Sequence, residues 1–177
     1  MKEVFEQALK ERVFEYAVIS TKNINFSPEL LKACESNICG RYNKSWTCPP
    51  AIEPIEKQKE KITAFSSAFV FTTKFDIEDS FDYEGMVKAK EHHSRLTDEM
   101  HERFGKSNPV LGAGACNLCD PCAYPQPCKF PEKTYLAIEA VGINVTELSR
   151  AAGIRYNNGP NTITYFSAIL FNEAFDK

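Results

Sequence analysis

The sequence has no marked excess of either charge. Its formal net charge is −3, too small to draw it electrostatically onto nucleic acid or an anionic membrane. It also has no apolar run near the ~18–20 residues that cross a bilayer as a helix. The opening residues, Met1-Lys-Glu-Val-Phe-Glu-Gln-Ala-Leu-Lys-Glu-Arg12, mix charges and contain no apolar stretch of the signal-peptide kind. The expectation is therefore a soluble, cytoplasmic protein with no nucleic-acid or membrane partner. Phosphate-cradling glycine loops, nucleophile elbows and His-Glu zinc motifs are all missing. The Cys-x3-Cys-x2-Cys spacing of radical enzymes is missing too. Histidine is scarce, at three residues, and no internal repeat, low-complexity tract or linker breaks the 177-residue chain. A chain of that length forms one domain and buries a sizeable core, so residues 1–177 are read as a single domain.

What the chain does have is cysteine, seven in all. In a reducing compartment, closely spaced cysteines bind metal or carry redox chemistry more often than they form disulfides, and an odd number cannot pair completely. Four lie in Gly114-Ala-Cys-Asn-Leu-Cys-Asp-Pro-Cys-Ala-Tyr-Pro-Gln-Pro-Cys128, spaced C-x2-C-x2-C-x5-C. A C-x2-C step lets a tight turn set two thiolates on one face. Three in succession resemble the ligand loop of bacterial ferredoxins, although the last interval there is three residues with proline directly following. The other three are Cys34, Cys39 and Cys48, the last followed by Pro49-Pro50.

Thiolates select zinc, copper(I) or iron–sulfur clusters. A structural zinc ion usually takes two C-x2-C pairs separated by a longer spacer. Consecutive Cys116, Cys119 and Cys122 crowd one tetrahedral ion but suit the spread corners of a cubane, so [4Fe-4S] is preferred and zinc is the alternative. One division of ligands is Cys116, Cys119, Cys122 and Cys128 against Cys34, Cys39 and Cys48. In another, Cys48 joins the first three and Cys128 goes to the second group. Either way one group has three cysteines, leaving an iron for a non-cysteine side chain or a small molecule; a metal-free structural trio is the bland alternative.

Runs rich in β-branched and aromatic residues predict strands over 12–21, 66–75 and 162–171, with a shorter one over 110–115. Helices are predicted from Pro28 to about Glu35, from Pro54, over Tyr83–Phe104, from Pro131 to Ala140, and from Asn144 to Gly153. The long helix shows an apolar stripe of Met86, Val87, Leu96, Met100 and Phe104. The pattern predicts an α/β or α+β fold, a single-domain sandwich of a small mixed sheet and helices with two cysteine loops. His92, His93 and His101 read as a solvated helix face. Trp46 and Tyr42 read as shielding, and Arg41 and Lys44 as holders of an anion or as solvated surface.

Taken together, Cys39-Gly-Arg-Tyr-Asn-Lys-Ser-Trp-Thr-Cys-Pro-Pro50, Gly112-Ala-Gly-Ala-Cys-Asn-Leu-Cys-Asp-Pro-Cys-Ala123, Pro127-Cys-Lys-Phe-Pro-Glu132 and Ile138-Glu-Ala-Val-Gly-Ile143 resemble the family described as predicted metal-binding protein, domain of unknown function 2284. The resemblance runs from about Cys34 to the end and covers all seven cysteines. Members commonly carry glycine where this chain has Ala115. The resemblance implies cysteine-rich metal binding, in particular of an iron–sulfur cluster, in mostly anaerobic prokaryotes, and implies no particular reaction. The leading expectation is one or two [4Fe-4S] clusters serving electron transfer to a partner enzyme. The alternatives are an enzyme using an open iron on a small molecule, and a zinc-stabilised binding module.

Overall fold

Two ten-residue apolar runs form the middle of the sheet. In the computed structural model, which describes residues 1–172, they are β2 (Ser67–Asp76) and β5 (Thr162–Phe171), paired antiparallel with Val70 opposite Ala168. Strand β1 (Glu15–Ser20) lies antiparallel outside β2, and β3 (Val110–Gly112) antiparallel outside β5. Strand β4 (Leu136–Ala137) runs parallel to β3 at the far edge, giving the order β1-β2-β5-β3-β4. The mixed sheet and its helices form an α/β sandwich, as the sequence pattern predicts.

The central strands read as continuous apolar runs because both faces of the sheet are covered. Alternation sends Phe69, Phe71, Ile169 and Phe171 to one face, where α1 (Lys2–Leu9) and α4 (Tyr83–Phe104) add Phe5, Leu9, Leu96 and Met100. Each such side chain contributes about 1.5–3 kcal/mol through burial. The other face carries Ala68, Val70, Ala168 and Leu170. It packs against Ile62 of α3 (Ile55–Thr63), Leu148 of α5 (Val145–Ala152), and Ile138, Val141 and Ile143. The remaining helix, α2 (Glu29–Glu35), buries no residue and serves chiefly to carry Cys34.

Several local signals act as read. Helix α4 spans the expected residues, and the Asp82 carboxylate accepts from Gly85 N–H at its start. Asn144 Oδ1 accepts from the N–H groups of Thr146 and Glu147, and α5 stops at Gly153 with φ 66°.

Other expectations are corrected. Residues 131–140 do not form an α-helix: Pro131–Lys133 is a single 3-10 turn, and Leu136-Ala137 pairs with the open edge of β3. The residues that follow are buried almost all round, where a surface helix would bury one stripe. The sequence pattern alone does not assign α1, although Phe5 and Leu9 stand four residues apart and both are fully buried. Ser27, where the sequence offers an N-cap ahead of Pro28, does not cap α2; its hydroxyl donates to the Glu29 carboxylate. In α4, Val87 is exposed, and the buried stripe is Ala89, His93, Leu96, Thr97 and Met100.

His93 is therefore not on a solvated face. It is fully buried, with Nδ1 2.8 Å from Thr73 Oγ1 and Nε2 2.8 Å from Ser167 Oγ. Ser167 Oγ is shared with Thr97 Oγ1, which also donates to the His93 carbonyl. Three hydroxyls thus let an imidazole sit in the core without an unpaired nitrogen. His101 is half-buried against the Tyr135 ring, with Nε2 3.0 Å from the Glu132 carbonyl oxygen, whereas His92 is exposed as expected.

Candidate metal centre

Strand β3 runs straight into the four-cysteine loop, and its last residue, Gly112, is fixed by a close approach. A methyl group there would lie 2.3 Å from Tyr135 Cε2, so only glycine lets that ring lie against the strand. The Tyr135 hydroxyl donates to Asp98 of α4 at 2.7 Å. Burial, then Asp98, then the nearby Cys116 thiolate all push the Tyr135 pKa up.

The loop itself, residues 113–130, is held from outside by the first cysteine segment. Thr47 Oγ1 accepts from Cys116 N–H at 3.1 Å, and Trp46 Nε1–H donates to the Gln126 carbonyl at 2.8 Å. The Trp46 and Tyr124 rings meet edge to face at 5.0 Å, and the Tyr124 hydroxyl donates to Asn43 Oδ1. Ser45 and Thr47 are buried between the two segments, with their hydroxyl oxygens 3.2 Å apart.

Cys116, Cys119, Cys122 and Cys128 line one cavity, closed by Ser45, Trp46, Thr47, Leu118, Phe130 and Thr134. Burial pushes the Cys116 thiol up; Leu118 N–H opposes this, and Cys119, Cys122 and Cys128 raise it further. For Cys122 burial also raises the value, but hydrogen bonds outweigh it. The N–H groups of Tyr124 and Trp46, the Ser45 hydroxyl and Cys119 bring the thiol below its usual range. Hydrogen bonds of this kind favour the thiolate, which is the metal-ligating form.

Cys34, Cys39 and Cys48 form a second neighbourhood. Burial pushes the Cys34 thiol up, followed by the charges of Cys39, Glu139 and Glu35. Cys48 is buried and likewise pushed up; the Ser45 and Thr47 hydroxyls oppose this, and Cys39 and Cys34 add to it. The thiols that bear on Cys48 are Cys39 and Cys34, and those that bear on Cys116 are Cys119, Cys122 and Cys128. Ser45 lies between the groups, in hydrogen-bond contact with Cys48 on one side and Cys122 on the other.

Two observations bear on what these thiols could hold. Among the described residues, no three His, Cys, Asp or Glu side chains converge at the spacing of a single ion. The space left in the four-cysteine cavity is about 10 Å³, roughly one water's worth. The four cysteines line this small space, and any metal group larger than that volume would require the loop to part from the Ser45–Thr47 wall. The donor set, four cysteines with N–H and hydroxyl groups turned to the sulfurs of Cys116 and Cys122, fits a thiolate-bound metal group.

Ser45 and Thr47, which line the cavity, were not singled out from the sequence. The available signal was two hydroxyl residues flanking the single tryptophan just ahead of Cys48-Pro49. Tyr42 is half-buried and Lys44 exposed, both between Cys39 and Cys48.

The chain matches a family model described as predicted metal-binding protein (DUF2284) over residues 17–171, and it belongs to that family. No curated protein and no solved structure matches it. Among the described residues, no helix is long and apolar enough to cross a membrane.

Proposed function

We propose that this metal-binding protein carries a [4Fe-4S] cluster on Cys116, Cys119, Cys122 and Cys128, has a second centre on Cys34, Cys39 and Cys48, and passes electrons to a partner protein. The supporting observation is that four cysteines from one irregular loop line a single cavity with sulfur-directed N–H groups. When bound, such a cluster supplies one-electron chemistry. The protein's own part is to hold the thiolates, set the potential through hydrogen bonds to sulfur, and keep water off with Trp46, Leu118 and Phe130.

Leu118 and Phe130 also reach the surface, at 37% and 41% exposure. Leu118 borders a groove of about 550 Å³ whose walls include Asp98, Glu102, Lys106 and Lys133. An apolar tip beside a cluster, rimmed by both signs of charge, suits a transient docking partner. The contact is a short route for an electron.

Zinc is the second reading: a cubane requires the loop to open, whereas a single ion would require only that the thiols draw together. Protein purified anaerobically and assayed for iron, acid-labile sulfide and zinc decides between them. About eight irons and eight sulfides per chain are expected for two cubanes, and about four of each for one. Stoichiometric zinc without sulfide would end the electron-transfer reading.

A further inference from the structure

We propose that the start of α4 and the loop before it form a docking surface for a separate protein with a basic, lysine- and arginine-rich face. Among the described residues, three of the four most exposed large apolar side chains fall within residues 81–87. They are Phe81 at 77%, Tyr83 at 70% and Val87 at 55% exposure. Tyr83 and Val87 stand four residues apart on α4 and so share one face of the helix, with Phe81 just ahead of its first turn. Apolar side chains scattered singly over a surface are ordinary; clustered and ringed by charge, they mark an interaction site.

The backbone holds these side chains outward. Ile77 N–H donates to the Asn161 carbonyl at 2.9 Å, Glu78 N–H to the Asp82 carboxylate at 3.1 Å, and Phe81 N–H to the Asp79 carboxylate at 2.7 Å. The Tyr165 hydroxyl donates to the Met86 carbonyl at 2.9 Å, which fixes the first turn of α4 to β5. Rings on so constrained a backbone need little further ordering when a partner covers them. Beside them opens a cavity of about 550 Å³, with Ser80 and Met86 in one wall and Tyr156 and Asn158 in the other. It has room for a side chain of the partner.

Charge selects the partner. Asp76, Glu78, Asp79, Asp82 and Glu84 put five carboxylates in residues 76–84, which contain no lysine or arginine; with a total of −3, the rest of the chain sums to +2. Among the described residues, only Glu84 of these five takes part in an ion pair, with Lys88. Uncompensated negative charge repels nucleic acid and anionic lipid and draws in a basic protein face. Arginine and lysine side chains of such a face also lie favourably on Phe81 and Tyr83. A second copy of this chain fits poorly. Its densest lysine run, Lys57, Lys59 and Lys61, is interleaved with Glu56 and Glu60, and Lys57 and Lys61 already pair with Glu60 and Glu53. The occupant is a different protein, and the surface stands whichever metal the cysteines hold.

The test places the photo-crosslinker p-benzoylphenylalanine at Phe81 in the full-length protein, made at its natural level in its own cells. A control carries it at Lys57, on α3, which packs on the opposite face of the sheet from α4. The expected result on irradiation is one discrete adduct at position 81 and none at 57, with the cross-linked partner segment rich in lysine and arginine. Asp76→Lys combined with Glu78→Lys, both exposed, should cut that adduct about tenfold. Tyr83→Ser should weaken it too, while circular dichroism of each variant stays that of the parent. No adduct at position 81 above the control would overturn the docking surface. An adduct with a second copy of the chain, with a neutral or acidic segment, or undiminished by the charge reversal would overturn the basic partner.

Discussion

His93 shows how a single titratable residue ties stability to pH. Burial is the main reason its pKa is lowered to about 4; contact with Phe166 acts against this and the charge of His92 adds to it. A histidine whose folded pKa lies below its unfolded value of about 6.5 takes up a proton more readily when unfolded. Its contribution is thus complete above about pH 6.5 and lost as pH falls toward 4. The shift corresponds to roughly 3 kcal/mol. Urea unfolding from pH 7 to pH 4 should show that slope, and His93→Phe should lack it while being less stable at pH 7, because Thr73 and Ser167 lose their partner. Gly112→Ala makes a second test at this scale. The added methyl would strike Tyr135 at 2.3 Å, with an expected loss of about 1–3 kcal/mol in chemical denaturation.

Among elements, the joint between the two cysteine segments matters most. Thr47→Val keeps the shape of the side chain but removes the acceptor for Cys116 N–H, leaving a part-buried donor unpaired at a cost of about 1 kcal/mol. The expected outcome is faster metal release to a chelator, with the sheet unchanged by circular dichroism. Trp46→Phe, which keeps a ring against Tyr124 but loses the bond to Gln126, should release metal faster in the same assay.

Elements with strong local signals were legible in the sequence: the ends of α4 and β5 fall where the pattern puts them. Strand β4 was not, because Leu136-Ala137 is extended only by virtue of pairing with Leu111-Gly112, a partner some 25 residues upstream that local propensity cannot see. That four cysteines share one loop was legible from their spacing. The contacts of the Ser45 and Thr47 hydroxyls were not, since they come from a chain crossing that brings distant segments together. His93 misled for a related reason. Its partners Thr73 and Ser167 sit on β2 and β5, so its burial follows from tertiary contact and not from the charged sequence around it.

At the scale of the whole molecule, the sheet and its two packed faces form one unit; the 113–130 loop leaves it at the β3–β4 edge, and the segment between α2 and α3 is tied to that loop. Stability of the sheet and retention of metal should therefore separate. Cys119→Ser is expected to remove one centre and Cys39→Ser the other, each lowering iron content while the far-ultraviolet spectrum stays close to that of the parent. If either single change empties both centres, Ser45, which touches Cys48 and Cys122, is the place to look for their coupling.

The loop architecture also has a consequence for the life of the protein. Residues 36–54 and 113–130 contain no helix or strand, and they carry Arg41, Lys44 and Lys129 beside the cysteines. If the proposed cluster cross-ties those segments, its loss to oxygen would leave them held by the contacts of Thr47, Trp46 and Tyr124, and more open to trypsin-like cleavage. Oxidative damage would then mark the molecule for its own disposal, without any separate signal.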